Sequence, residues 1–215
     1  MQQRTRVKIC GLTRVQDVRC ACELGADAVG FVCYPASRRF VDVDRLAQLA
    51  GAVASFVTPV LLFVDAPSSD VRRALAVLPN ALLQFHGHED HAYCRSFGRA
   101  YVRTVAMGDG VDLLEFEHKF PSAVGLLADA ARAGAGGTGQ VFDWKRLPPR
   151  PQRALPLILA GGLNAENVAD AIGVVQPYAV DVSSGVEQSE GIKSAARMRS
   201  FFAAVRGADA QSGAQ

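Results

Sequence analysis

LPLILAGGLNAENV, residues 155 to 168, is an apolar run that ends in two glycines and passes into a helix start, and its lateness in the chain decides between two architectures. Strand-like segments alternate with helix-like ones from end to end. Eight strands can be counted: VKIC (7–10), ADAVGFV (26–32), PVLLFV (59–64), ALLQF (81–85), YVRTV (101–105), VGLLAD (124–129), LPLILAG (155–161) and YAVDVSS (178–184). A doubly wound open sheet usually carries its glycine-rich turn after the first strand, whereas here only Gly11 follows Cys10 and the paired glycines wait until 161–162. Eight strands with crossovers between them read as a single-domain α/β protein, a (β/α)8 TIM barrel over residues 1–206, with 207–215 expected to be a disordered tail.

The helical segments are read from apolar spacing. Val71, Ala74, Leu75 and Leu78 share one face, as do Val168, Ala171, Ile172 and Val175 after an expected cap at Asn164. Asp42 is the expected cap of another helix. Thr13 and Gln16 have the spacing of a capping box ahead of a helix that places Val15, Val18 and Cys22 together. The last helix is expected from about Ile192 to Val205.

A formal charge of +2 with both signs interspersed gives no broad field for nucleic acid or an anionic membrane, so the expected partner is a small molecule. The longest apolar stretches are broken by proline or glycine before the roughly 20 residues a membrane helix needs. The start, MQQRTRVKIC, has no apolar signal core, and the cytoplasm is the expected compartment. Five cysteines without a CxxC pair, and four histidines off zinc spacing, predict neither disulfides nor a metal site. Cys20 and Cys22 are expected to be buried as small hydrophobes. Monomer and homodimer are equally compatible with the sequence.

In a barrel, the loops leaving the carboxyl ends of the strands form the active face, and polar residues gather at those ends. Strand one ends at Cys10, strand four runs into His86, strand six ends at Asp129, strand seven at Gly161 and Gly162, and strand eight at Asp181, Ser183, Ser184 and Gly185. Period-two alternation puts Lys8 and Cys10 on one side of strand one, and Asp181 and Ser183 on one side of strand eight. Closing the barrel makes these strands neighbours, so Lys8 and Asp181 can pair inside the mouth, for function or purely for structure. AGGLNAENV and SSGVE each place small residues before a helix start, which exposes backbone N–H groups. Phosphate is therefore the expected anionic part of the ligand, held around Gly161, Gly162, Asn164, Ser183, Ser184 and Gly185.

Taken in order, VKICGLTR, GADAVGFVCYPASRRF, LLFVDAP, LLQFHG, GGTGQVFDW, LILAGGLNAENV and YAVDVSSGVE resemble phosphoribosylanthranilate isomerase, from about Val7 to Lys193. The resemblance implies a phosphate-binding (β/α)8 barrel of tryptophan biosynthesis. Its reaction would be an Amadori rearrangement of phosphoribosylanthranilate to 1-(o-carboxyphenylamino)-1-deoxyribulose 5-phosphate, with no metal or organic cofactor. It implies Cys10 as general base, Asp129 as general acid, Arg39 on the anthranilate carboxylate and Asp181 on the substrate. His86 falls at a family position near the substrate and reads equally as a hydrogen-bonded rim histidine, while His88 and His91 read as solvated loop residues. For this chemistry Lys8 is expected to favour the Cys10 thiolate, and desolvation to raise Asp129 so that it holds a proton.

The chain departs from the family pattern at Phe40, at Asp65, where asparagine is common, at Arg103, where many relatives carry lysine, and in Gly191-Ile192-Lys193-Ser194. Asp65 is expected to lie outside the substrate's contacts or to pair with a base such as Arg39. The segment 130–135 is expected to be a mobile loop beside Asp129. Two other readings compete: another phosphosugar isomerase or synthase on the same barrel, and a non-catalytic phosphosugar-binding barrel. The first would want aspartates ending strands one and five, which are absent; the second would be expected to lose the acid or the base.

Overall fold

The structure, a computed structural model, describes residues 4–130 and 142–212. Eight parallel strands close into a barrel in chain order: β1 (Arg6–Ile9), β2 (Ala28–Val32), β3 (Thr58–Phe63), β4 (Leu82–Phe85), β5 (Tyr101–Met107), β6 (Gly125–Ala130), β7 (Leu157–Leu159) and β8 (Ala179–Val182). Helices α1 (Val15–Glu23), α2 (Val43–Ala50), α3 (Ser68–Val77), α4 (His91–Arg95), α5 (Leu113–Lys119) and α6 (Val168–Val175) fill the crossovers. Between β6 and β7 the described residues hold two short 3-10 turns, Trp144–Arg146 and Arg150–Gln152. After β8 come a 3-10 turn at Ser184–Val186, an antiparallel hairpin of β9 (Glu187–Ser189) and β10 (Ile192–Lys193), and α7 (Ala195–Ser212).

The alternation seen in the sequence is what closes the barrel. Val7, Ile9, Phe31, Leu61, Phe63, Leu83 and Phe85 point outward and are buried against Leu46, Leu49, Val71, Phe201 and other helix residues. Each such side chain contributes about 1.5–3 kcal/mol on leaving water. Two smaller clusters fill the barrel's own interior, one around Cys10, Val32 and Leu62, the other around Val102, Leu127 and Ala160.

Helix starts divide by whether their caps are local. Asp42 caps α2 as expected, accepting from Arg45 N at 2.7 Å. The capping box at Thr13 does not form. Arg14 stands at the N-cap without a side-chain cap bond, and Thr13 Oγ1 donates instead to the Gly191 carbonyl at 2.5 Å, because the hairpin after β8 lies against this turn. Asp17 strengthens that join, accepting from Arg14 and from Lys193 N. Asn164 closes a turn ahead of α6, accepting from the backbone N–H of Glu166 and Asn167, so that Asn167 becomes the N-cap.

The last helix reaches Ser212, so residues 207–212 are helical where a tail was expected. Ala208 is buried, and Asp209 accepts from Thr5 N at 2.9 Å and Thr5 Oγ1 at 2.7 Å, which fastens the helix to the start of β1. Cys20 and Cys22 are only partly buried, since they sit at the edge of the helix face that packs. Residues 131–135 of the expected loop and 136–141 of the GGTGQVFDW block lie outside the described residues, as do 213–215.

Candidate active site

A cavity of about 480 Å³ opens at the carboxyl ends of the strands. Cys10, Arg39, His86, Asp129, Gly161, Gly162, Asp181, Ser183 and Ser184 line it together. Lys8, Asn164 and Gly185 do not. Arg103 and Asp65 line it as well, along with an apolar wall that includes Tyr34, Leu62, Phe116 and Leu127.

Cys10 directly follows β1, its N–H bound to the Val182 carbonyl at 2.9 Å. The next residue has a φ of +73°, and a Cβ there would lie 2.5 Å from Arg39 Cδ, so the turn past the thiol needs glycine twice over. Opposite, on β2, a Cβ at Gly30 would stand 2.8 Å from Cys10 Sγ and 3.1 Å from Lys8 Nζ. The absence of a side chain on β2 is what gives thiol and ammonium their space.

Barrel closure pairs Lys8 with Asp181 in the β1–β8 register, and Nζ donates to both carboxylate oxygens at 3.0 and 2.9 Å. Burial works against the Lys8 charge, but Asp181 and Cys10 outweigh it and raise its pKa. Lys8 favours the Cys10 thiolate as expected, but it does not set the net direction. Burial pushes the Cys10 thiol up and Asp181 adds to that, while Lys8 and Lys193 only partly oppose it.

Asp129 sits near the end of β6, buried, with Oδ1 accepting from Ala130 N at 2.8 Å. Burial, then the Asp181 charge, raises it to about 6. Gly161, at φ +84°, lets β7 pass close, since a Cβ there would fall 2.9 Å from Asp129 Oδ1. His86 follows β4 and presents Nε2 to Asp129 Oδ2 at 3.6 Å. Burial, with Lys8 and Arg103 nearby, lowers it to about 4, so the ring is neutral at physiological pH.

The two small-residue loops touch. A Cβ at Gly185 would collide with the Leu163 carbonyl at 1.9 Å, so this glycine serves close packing. The N–H of Asn164 is taken by Asn167 Oδ1 at 2.9 Å. Among the described residues no acceptor takes up the N–H groups of Gly161 and Gly162, which stand at the cavity wall.

Arg39 is held by a residue that sequence reasoning did not single out. Its Nε and Nη2 donate to Glu187 at 2.8 and 2.7 Å, and Lys193 Nζ donates to the same carboxylate at 2.8 Å and to the Ser183 carbonyl at 3.1 Å. Burial tends to raise Glu187, yet the bonds from Arg39 and Lys193 hold it below the usual range. Glu187 was not singled out from sequence, and Lys193, expected at the start of the last helix, sits instead in the β9–β10 hairpin, where both side chains are buried. Asp65 does not pair with Arg39. It accepts from His88 N at 2.5 Å and stands 3.1 Å from His88 Nδ1, and the backbone bond from His88 lowers its pKa.

A sequence profile described as N-(5'-phosphoribosyl)anthranilate isomerase matches residues 7–204. A protein of that name from Leptothrix cholodnii is 52% identical over 209 residues, which cover 97% of this chain and 94% of the relative. The crystal structure of phosphoribosyl anthranilate isomerase from Thermotoga maritima superposes with a TM-score of 0.86 at 35% identity, covering 94% of this chain and 99% of that one. A structure of the enzyme in complex with reduced 1-(o-carboxyphenylamino)-1-deoxyribulose 5-phosphate gives a TM-score of 0.79 at 32% identity, with the same coverage.

Proposed function

The chain belongs to the N-(5'-phosphoribosyl)anthranilate isomerase family of tryptophan biosynthesis, and from that premise we propose that it rearranges phosphoribosylanthranilate with Asp129 as general acid and Cys10 as general base. The supporting observation is that both groups are buried and line one cavity, Asp129 on β6 and Cys10 just after β1, strands three places apart around the barrel.

Asp129 gives its proton to the furanose oxygen while the anthranilate nitrogen pushes, breaking the bond from that oxygen to C1′ and leaving an iminium. The Cys10 thiolate removes the proton from C2′, and the electron pair flows into C1′=C2′ to give an enolamine. C1′ then gains a proton as the C2′ hydroxyl loses one, which yields the ketone and, with Cys10 and Asp129 as donor and acceptor, returns both groups to their starting states. A carboxyl with a pKa of about 6 suits the first step, being protonated in a usable fraction of molecules near neutrality.

The substrate's two anionic ends go to different groups. Free N–H groups of Gly161 and Gly162, with Ser183 and Ser184, take the phosphate. Arg39 has two of its nitrogens on Glu187, and its remaining Nη1 faces the anthranilate carboxylate. Lys8 and Asp181 stay paired beneath, with Asp181 at the cavity wall in reach of the sugar.

The test is the loss of phosphoribosylanthranilate fluorescence on adding the purified protein. Rapid decay is expected; a folded protein that leaves the fluorescence unchanged overturns the reading.

A further inference from the structure

Arg103 has no part in the account so far, and β5 is an unusual place for a guanidinium. It is buried, its central carbon lies 5.2 Å from the Phe120 ring centroid, and its Nε meets no acceptor among the described residues. Nη1 donates to the Phe85 carbonyl at 2.7 Å and Nη2 to the Gly87 carbonyl at 2.5 Å. Those two carbonyls flank a single residue, His86.

A carboxylate grips the same segment from another side. Glu89 accepts from Gly87 N and from Asp65 N, each at 2.8 Å, and lies 3.6 Å from Arg103 Nη1. The His86 N–H is itself bound to the Phe63 carbonyl at 2.9 Å. A planar guanidinium fixes two carbonyls at once in a way that a single mobile ammonium does not. Burying this ion pair is costly, and what it accomplishes locally is to immobilise one histidine.

That histidine points at the proposed acid. Its Nδ1 is buried with no partner among the described residues, and the Asp129 carboxylate facing Nε2, Oδ2 at 3.6 Å, favours the tautomer with the ring proton on Nε2. The gap is longer than a hydrogen bond, and catalytic bonds of this kind tighten when substrate binds. Around the pair stand Lys8 on β1 and Cys10 just after it, Asp65 after β3, Arg103 on β5 and Asp181 on β8, with Arg39 and His88 further out along the same cavity.

Building on the reading of Asp129 as general acid, we propose that His86 donates its Nε2 proton in a hydrogen bond to the Asp129 carboxylate as it forms, and that Arg103 and Glu89 are the positioning residues that hold His86 there. Stabilising the carboxylate makes Asp129 a better acid, in the manner of a preorganised donor aimed at developing charge. Arg103 and Glu89 act only through His86.

The test is a double-mutant cycle of Arg103→Met and His86→Leu, read in kcat, KM and the acid limb of the pH profile. Each single change is expected to move the acid limb upward and, below that limb, where Asp129 is protonated in native and variant alike, to lower kcat by about tenfold or more with KM altered by less than about threefold. In the His86→Leu background, Arg103→Met is expected to cost less than about twofold more, because its target is gone. Arg103→Lys keeps part of the activity. If Arg103→Met does not fold, Glu89→Gln takes its place in the cycle. Losses that multiply, or an unmoved acid limb in the single variants, overturn the proposal. A native protein without isomerase activity overturns the assignment of Asp129, a different result from an active protein with multiplicative losses.

Discussion

Asp129 and Cys10 are both shifted upward by burial, Asp129 to about 6 and Cys10 above the ordinary thiol value. At neutral pH most molecules therefore hold a carboxylate and a thiol, the reverse of the pairing the proposed mechanism uses. The reactive fraction is constant between the two pKa values, because each unit of pH that depletes the acid enriches the thiolate. We expect kcat/KM to be level from about pH 6 up to the thiol's titration. Below 6 it falls about tenfold per unit, since Asp129 is already protonated there and only the thiolate is being lost. A profile that declines steadily from pH 6 to 8 would contradict this assignment. The same shift carries a stability cost with a definite sign. The native state holds the extra proton between the unfolded carboxyl value and 6, so stability drops as pH rises through that window and the cost is complete above it. Asp129→Asn is expected to raise stability at pH 7.5 by up to about 3 kcal/mol and to leave it nearly unchanged near pH 4, as measured by urea unfolding. Alternation along two strands was enough to foresee the pairing of Lys8 with Asp181. It did not reveal the direction of the Cys10 shift, which depends on how much of the barrel surrounds the thiol.

The elements that shape the site are those where a side chain is missing. Gly30 on β2 is one: Gly30→Ala would put a methyl group 2.8 Å from Cys10 Sγ and displace it. Misplacing a reacting atom by about 1 Å can cost on the order of a hundredfold in rate, while overpacking of this size costs about 1–3 kcal/mol of stability. We expect Gly30→Ala to lower kcat by at least about tenfold with KM little changed, in steady-state assays on the folded variant. Strand ends and the Asp42 cap were legible because their signals lie within a few residues. The Thr13 capping box was not, since the hydroxyl prefers a carbonyl of the β9–β10 hairpin far along the chain. Glu187 escaped notice, and Lys193 gave no sign of its place in the site, for the same reason: their burial is created by Arg39 and Ser183, which the fold brings to them.

Across the whole molecule, the closing contact between β1 and β8 does most to build the site, because it sets Lys8, Cys10, Asp181 and Ser183 on adjacent strands. Eight regular strand segments made that closure legible in advance. The extent of α7 was not: a run of glycine, alanine and serine reads as a tail until Asp209 is seen holding Thr5. Closure also leaves Asp129 on β6 and Cys10 after β1 facing one cavity, and in the proposed mechanism they act on one sugar as a unit. Groups that work as a unit lose their effect together. The most direct measurement is kcat for Cys10→Ser, Asp129→Asn and the double variant, with binding of the reduced product analogue followed alongside. We expect each single change to lower kcat by about a thousandfold or more with the analogue still bound, and the double variant to fall little further. Turnover near the native rate in either single variant, or losses that multiply in the double, would contradict the account.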